Sequence, residues 1–134
     1  MHTEFPDTVR LDAETKLRLM TLKKRTGIAN WNVLCRWAFC LSLADETPVR
    51  ERNENNVGAV EMTWKTFAGD EELVYRFMLV ERCRKEQANV EKDLLSTTLR
   101  QHISRGAARL AAAGGIKSVG ELLELTRRPG RKAG

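Results

Sequence analysis

The stretch TVRLDAETKLRLMTLKKRTGIANWNVLCRWAFCLSLA, residues 8–44, decides the fold. Its first five residues, Thr8-Val9-Arg10-Leu11-Asp12, alternate polar and apolar. An extended backbone would send Val9 and Leu11 to one face and Thr8 and Arg10 to the other, so one short strand is expected. Asp12 stands where a helix would begin, its carboxylate able to accept from the free amides of the first turn, with Glu14 near the positive helix end. Leu17, Leu19, Met20 and Leu22 follow, and Lys23-Lys24-Arg25 fall in the last turn, where cations complement the helix dipole. Gly27 supplies the left-handed residue that commonly closes a helix. Asn30 is the expected cap of a second helix reaching Leu43, whose only polar side chains are Asn32, Arg36 and Ser42. A helix apolar nearly all round must be covered nearly all round, so coverage by the rest of the chain and by a second copy is expected.

Working outward, Thr47-Pro48 stops this helix, and residues 50–56 read as a polar loop. Val60, Met62 and Trp64 alternate with polar neighbours through Lys65, a second short strand. Gly69-Asp70 opens a long helix bearing Leu73, Val74, Phe77, Met78, Val80 and Cys83. After a break near residues 88–91, helical spacing resumes through Leu94, Leu95, Leu99, Ile103 and Leu110 and ends at Gly114-Gly115. Ser118 and Glu121 have capping-box spacing for a last short helix with Leu122, Leu123 and Leu125. The expected fold class is mainly α: a ribbon-helix-helix-like N-terminal strand-helix-helix plus further helices and a second short strand. Residues 1–128 form one helical domain in this reading, with 8–44 as the ribbon-helix-helix-like unit and 57–128 as strand plus helices. Residues 129–134 form a disordered basic tail. Ribbon-helix-helix proteins pair the single strands of two chains, and a lone strand cannot satisfy its own backbone, so a dimer or higher assembly follows.

Composition narrows the function. The chain has 134 residues, 42% hydrophobic and 31% charged, with 3 Pro and 9 Gly, the make-up of a folded protein and not of a disordered one. Residues 1–10 hold acids and a proline but no apolar export segment, and the longest apolar stretch, residues 37–43, falls far below the ~20 residues that span a membrane. A cytoplasmic location without membrane contact is expected. Cys35, Cys40 and Cys83 form no C-x-x-C pair, so neither a disulfide framework nor a zinc site is indicated, and buried, inert thiols are expected. His2 and His102 are the only histidines. A nucleophile–base pair would rest on His102 alone. Asp70-Glu71-Glu72 suit a helix N-terminus. No Walker lysine, G-x-G-x-x-G or H-x-E with C-x-x-C occurs. No catalytic residue, metal ligand or cofactor is therefore expected, which favours a binding role. The net charge is +5 with a pI near 9.4. Seven basic residues face two acidic ones within 101–134. A solvated face and a polyanion site compete to explain the basic runs.

Three pieces carry a family resemblance: Val9-Arg10-Leu11 followed by Lys16, Leu22-Lys23-Lys24-Arg25-Thr26-Gly27-Ile28, and Asn30-Trp31-Asn32-Val33-Leu34-Cys35-Arg36. Together they resemble the DndE family, the small component of the bacterial DNA phosphorothioation system, in which sulfur replaces a non-bridging phosphate oxygen. Length and general pattern extend the likeness to the end of the chain. The resemblance implies a non-catalytic DNA-binding subunit, typically a homotetramer, that prefers nicked duplex and needs no metal. Its partners would be DNA, further copies of itself and the other phosphorothioation components: a cysteine desulfurase, an iron–sulfur component and an ATPase-like component. On this chain the phosphate contacts would be Arg10, Lys16, Lys23, Lys24 and Arg25, with Arg105, Arg109, Lys117, Arg127 and Arg128 as a second set. Each cation that neutralises a phosphate releases a counterion, so affinity should fall with salt and vary little with sequence. Two other readings remain beside it, a ribbon-helix-helix repressor reading bases with Thr8 and Arg10, and a protein-recruiting adaptor. An enzyme ranks behind both.

Overall fold

The structure is a computed structural model that describes residues 5–49 and 57–127. The polar loop expected at residues 50–56, the basic tail at 129–134 and Arg128 lie outside the described residues. The chain runs β1 Thr8–Leu11, α1 Ala13–Thr26, α2 Trp31–Leu43, β2 Val60–Thr63, α3 Trp64–Ala68, a 3-10 turn Gly69–Glu71, α4 Glu72–Gln87, α5 Lys92–Ala111 and α6 Val119–Arg127. The mainly α architecture with a second short strand is as the sequence implies.

The strand partner is different. β1 pairs antiparallel with β2 of the same chain, Val9 opposite Met62 and Arg10 opposite Glu61. Val9, Leu11 and Val60 bury one face of this small sheet. The strand's backbone is thus served from within the chain, and the case for a second copy resting on an unpaired strand falls. β2 also stops short of Lys65. The Thr63 hydroxyl accepts from the Thr66 amide at 3.1 Å, so Thr63 caps a helix and Trp64 becomes its first residue instead of the strand's last. Apolar spacing alone could not separate the two, because Trp64 is buried either way.

Local signals place α1 well. Asp12 Oδ1 accepts from the Thr15 amide at 3.0 Å, and Gly27 adopts φ +77°, a left-handed geometry that suits glycine. Asn30 takes the N-cap backbone position of α2 without a side-chain capping bond. α6 starts on Ser118, whose hydroxyl accepts from the Glu121 amide, while Glu121 reaches back to the Lys117 amide.

The centre of the core is the crossing of α2 and α5. Leu34, Cys35, Ala38 and Phe39 are buried here together with Leu95, Leu99, Ile103 and Ala107. α1 adds Leu19 and Leu22, and Phe39 meets Phe67 of α3 edge-on at 5.7 Å. Fully burying side chains of this size contributes about 1.5–3 kcal/mol each. The one cation on α2, Arg36, donates to the Phe67 carbonyl at 2.7 Å and so ties down α3. α2 is therefore covered largely by its own chain. Large apolar exposure lies elsewhere: Leu73, Val74 and Phe77 on α4, and Leu17 and Met20 on α1.

The helices can cross this closely because of Gly106, where an added Cβ would overlap the carbonyl oxygen and backbone of Ala38. Gly106→Ala should therefore lower stability by about 3 kcal/mol, despite its better helix propensity. Urea unfolding followed by circular dichroism measures this, and an unchanged midpoint would contradict the crossing.

Candidate nucleic-acid interface

The expected phosphate contacts separate into residues that face outward and residues that serve the fold. Lys16, Lys23 and Lys24 lie on one side of α1 with Leu17 and Met20 between them, spread over ~12 Å of helix. Lys23 and Lys24 are exposed and Lys16 half-buried. Among the described residues, none of the three pairs with a carboxylate. Arg10 is exposed on β1 but bridges to Glu61 across the sheet. Lys117 is exposed after α5, its Nζ on the Ala113 carbonyl at 2.6 Å, and Arg127 sits 3.8 Å from Glu124.

Arg25 faces inward. Its Nη1 donates to the carbonyls of Ala111 and Ile116 at 3.1 and 3.2 Å, pinning the end of α1 to the turn between α5 and α6. Arg105 is committed further still: Nε donates to Ser42 Oγ at 2.8 Å, Nη2 to the Ser42 and Asp45 carbonyls, and Nη1 to the Thr47 carbonyl. Arg82 donates to the Leu43 carbonyl at 2.6 Å and to the Asp45 carbonyl at 3.3 Å. The last carbonyls of a helix have no partners within it and carry its negative pole, so these two cations satisfy both needs of α2. Arg109 pairs with Asp45 at 2.8 Å. The Thr47 amide and hydroxyl, with Arg109 behind them, hold that carboxyl well below the usual carboxylate range.

A second buried group was not legible in the sequence. His102 is fully buried, with Nδ1 2.7 Å from Ser42 Oγ and Nε2 3.1 Å from Glu86 Oε2. Serine, histidine and carboxylate are the parts of a hydrolytic triad. This set is closed to substrate, since Ser42 and His102 have no exposed surface. Because Arg105 already donates to Ser42 Oγ, the hydroxyl hydrogen points to Nδ1, which leaves Nε2–H to donate to Glu86. Burial first, then the nearby Arg82 and Arg105 charges, push the imidazole pKa down to about 3. Burial raises that of Glu86. The group is a polar brace joining α2, α4 and α5.

Two of the three thiols lie as expected and one does not. Cys35 and Cys83 are buried as expected, and burial pushes Cys35 up to about 12. Cys40 instead reaches the surface, its sulfur 3.9 Å from the Tyr75 hydroxyl. Desolvation is the main cause that raises Cys40 and Cys83 as well. Among the described residues, no group of three or more His, Cys, Asp or Glu could hold a metal ion, and no helix is long and apolar enough to cross a membrane.

These features define a small, mainly α protein with a cationic outer helix face and a buried polar brace. Residues 8–118 match the family described as DNA sulphur modification protein DndE, and the chain belongs to that family. Solved structures agree with the fold. DndE from Escherichia coli B7A, involved in DNA phosphorothioation modification, is 24% identical with a TM-score of 0.65, the match covering 79% of this chain and 97% of that one. A double glycine-to-lysine mutant of DndE involved in DNA phosphorothioation is 20% identical with a TM-score of 0.60, covering 78% and 95%. Among curated proteins there is no match.

The brace makes stability pH-dependent. Below the ordinary imidazole value of 6.5 the unfolded chain takes up a proton that the fold refuses until about 3, so stability falls as pH drops through that window. The raised Glu86 works in the opposite direction between its ordinary 4.5 and its raised value in the fold. The urea midpoint should fall from pH 7 to pH 5, and His102→Gln should flatten that slope. A His102 imidazole NMR signal, assigned by its loss in His102→Gln, that titrates near pH 6.5 in the folded protein would refute the buried neutral state.

Proposed function

We propose that this chain is a non-catalytic, oligomeric, cytoplasmic DNA-binding subunit of the phosphorothioation machinery, working without a cofactor. It holds duplex or nicked DNA by the phosphate backbone and acts beside the other components of that system. The observation that carries this reading is the row of Lys16, Lys23 and Lys24 on α1, with no acidic partner among the described residues, in a member of a DNA sulphur modification family. Lysines suit point-charge contact with phosphates more than bidentate reading of bases. Arg10 and Lys117 are exposed cations outside the row, while Arg25 and Arg105 hold backbone carbonyls and Arg109 pairs with Asp45. The ion pair from Arg10 to Glu61 disfavours the repressor reading, because it puts a carboxylate beside the arginine that would read bases. The sealed Ser42, His102 and Glu86 support a role without catalysis.

Lys23→Glu with Lys24→Glu should weaken binding of intact and nicked duplex by at least ~30-fold in gel shift and reduce the slope of log affinity against log salt by about 1.8. Circular dichroism should not change. Normal binding by this variant would overturn the proposal.

Support for self-association comes from α4, where Leu73, Val74 and Phe77 are 76%, 51% and 65% exposed on one side of the helix. Light scattering should show a multimer, expected to be a tetramer, and Leu73→Glu with Phe77→Glu should reduce it to the 15.2 kDa chain. A wild-type monomer at micromolar concentration would contradict this.

A further inference from the structure

We propose that a cleft between α1, α5 and the chain following α2 binds a phosphate monoester of nucleotide size. The cleft encloses about 440 Å³, within the range that small organic ligands occupy. Its cationic wall is Arg18 of α1 with Arg105 and Arg109 of α5. Among the described residues no carboxylate lines it. The neighbouring acids are Glu14, 3.5 Å from Arg18, and Asp45 on Arg109.

The polar floor carries the observation that points to a ligand. Gln101 is nine-tenths buried and lines the cleft, yet its amide has no hydrogen-bond partner among the described residues. Its amide keeps contact with solvent at the cleft surface, where a bound ligand can take it as a hydrogen-bond partner. Ser104 lies one turn along the same side of α5, followed by Arg105, Ala108 and Arg109 at helical spacing. Arg105 is fixed by the α2 carbonyls, so its charge is placed in advance of binding.

Three guanidinium groups exceed what a single carboxylate needs and suit a doubly charged phosphate. Pro48, Val49 and Ala108 offer an apolar wall for the sugar and base. The site is separate from the lysine row, since Arg18 lies about 200° around α1 from Lys16. It stands whether or not that row holds DNA. The same chemistry is available from a free mononucleotide or from the phosphorylated end of a DNA strand.

Isothermal titration of the full chain with deoxyadenosine 5′-monophosphate tests this. The nucleotide should bind with a dissociation constant below about 1 mM, inorganic phosphate more weakly, and deoxyadenosine not at all. Arg18→Ser and Gln101→Leu, each checked for folding by thermal melting, should weaken nucleotide binding about tenfold. Lys23→Glu with Lys24→Glu should leave it unchanged. Displacement by a 5′-phosphorylated but not a 5′-hydroxyl oligonucleotide assigns the ligand to a strand end, and failure to displace assigns it to the free nucleotide. Absence of heat with 1 mM nucleotide, equal binding of deoxyadenosine, or unweakened binding by both folded cleft variants overturns the proposal.

Discussion

Helix α2 lies against α5 with a backbone carbonyl where a side chain would normally stand, and it ends in carbonyls that α4 and α5 must satisfy from outside. The contact of Ala38 with Gly106 brings the helices together, and Arg82 and Arg105 hold the end of α2 from α4 and α5. The two constraints are coupled. The crossing brings α5 alongside the end of α2, where side chains long enough to arrive from the flanking helices supply the donors. Ser42 and His102 then fill the gap between the arginines with one hydroxyl and one imidazole. Leaving any of these groups unpaired in the interior would cost more than the bond itself contributes.

That arrangement explains why basic residues close in sequence behave differently. Lys23 and Lys24 extend from the last turn of α1 into solvent, while Arg25, the next residue, reaches the turn after α5. A planar guanidinium can satisfy two carbonyls at once, which an ammonium does less well. Arginine serves the fold in Arg25, Arg36, Arg82 and Arg105, and lysine remains outside. Net charge sums both kinds and so overstates the surface available to a polyanion.

Much of the fold was legible because its signals are local. The alternation of residues 8–11, the Asp12 cap, the Gly27 closure and the Ser118 capping box each depend on neighbours within a few positions. What was hidden depends on distant partners. Nothing near Val9 announces Met62, nothing near His102 announces Ser42, and the cap role of Thr63 competes with a strand pattern that Trp64 satisfies equally well. The lysine row was visible as a run, whereas the inward turn of Arg25 and Arg105 was not. Gln101, Ser104, Arg105, Ala108 and Arg109 do leave a trace: small and polar side chains at helical spacing along α5. Only their convergence with Arg18 needed three dimensions.

The unequal depth of the cysteines gives the molecule internal gauges of its own breathing. A thiol reacts as thiolate, and Cys35 is both sealed and strongly disfavoured from ionising. Alkylation of the native protein should start at Cys40, making it a natural attachment point for a probe. Modification of Cys35 would report parting of α2 from its neighbours, and that of Cys83 would report loosening of α4, each on its own clock.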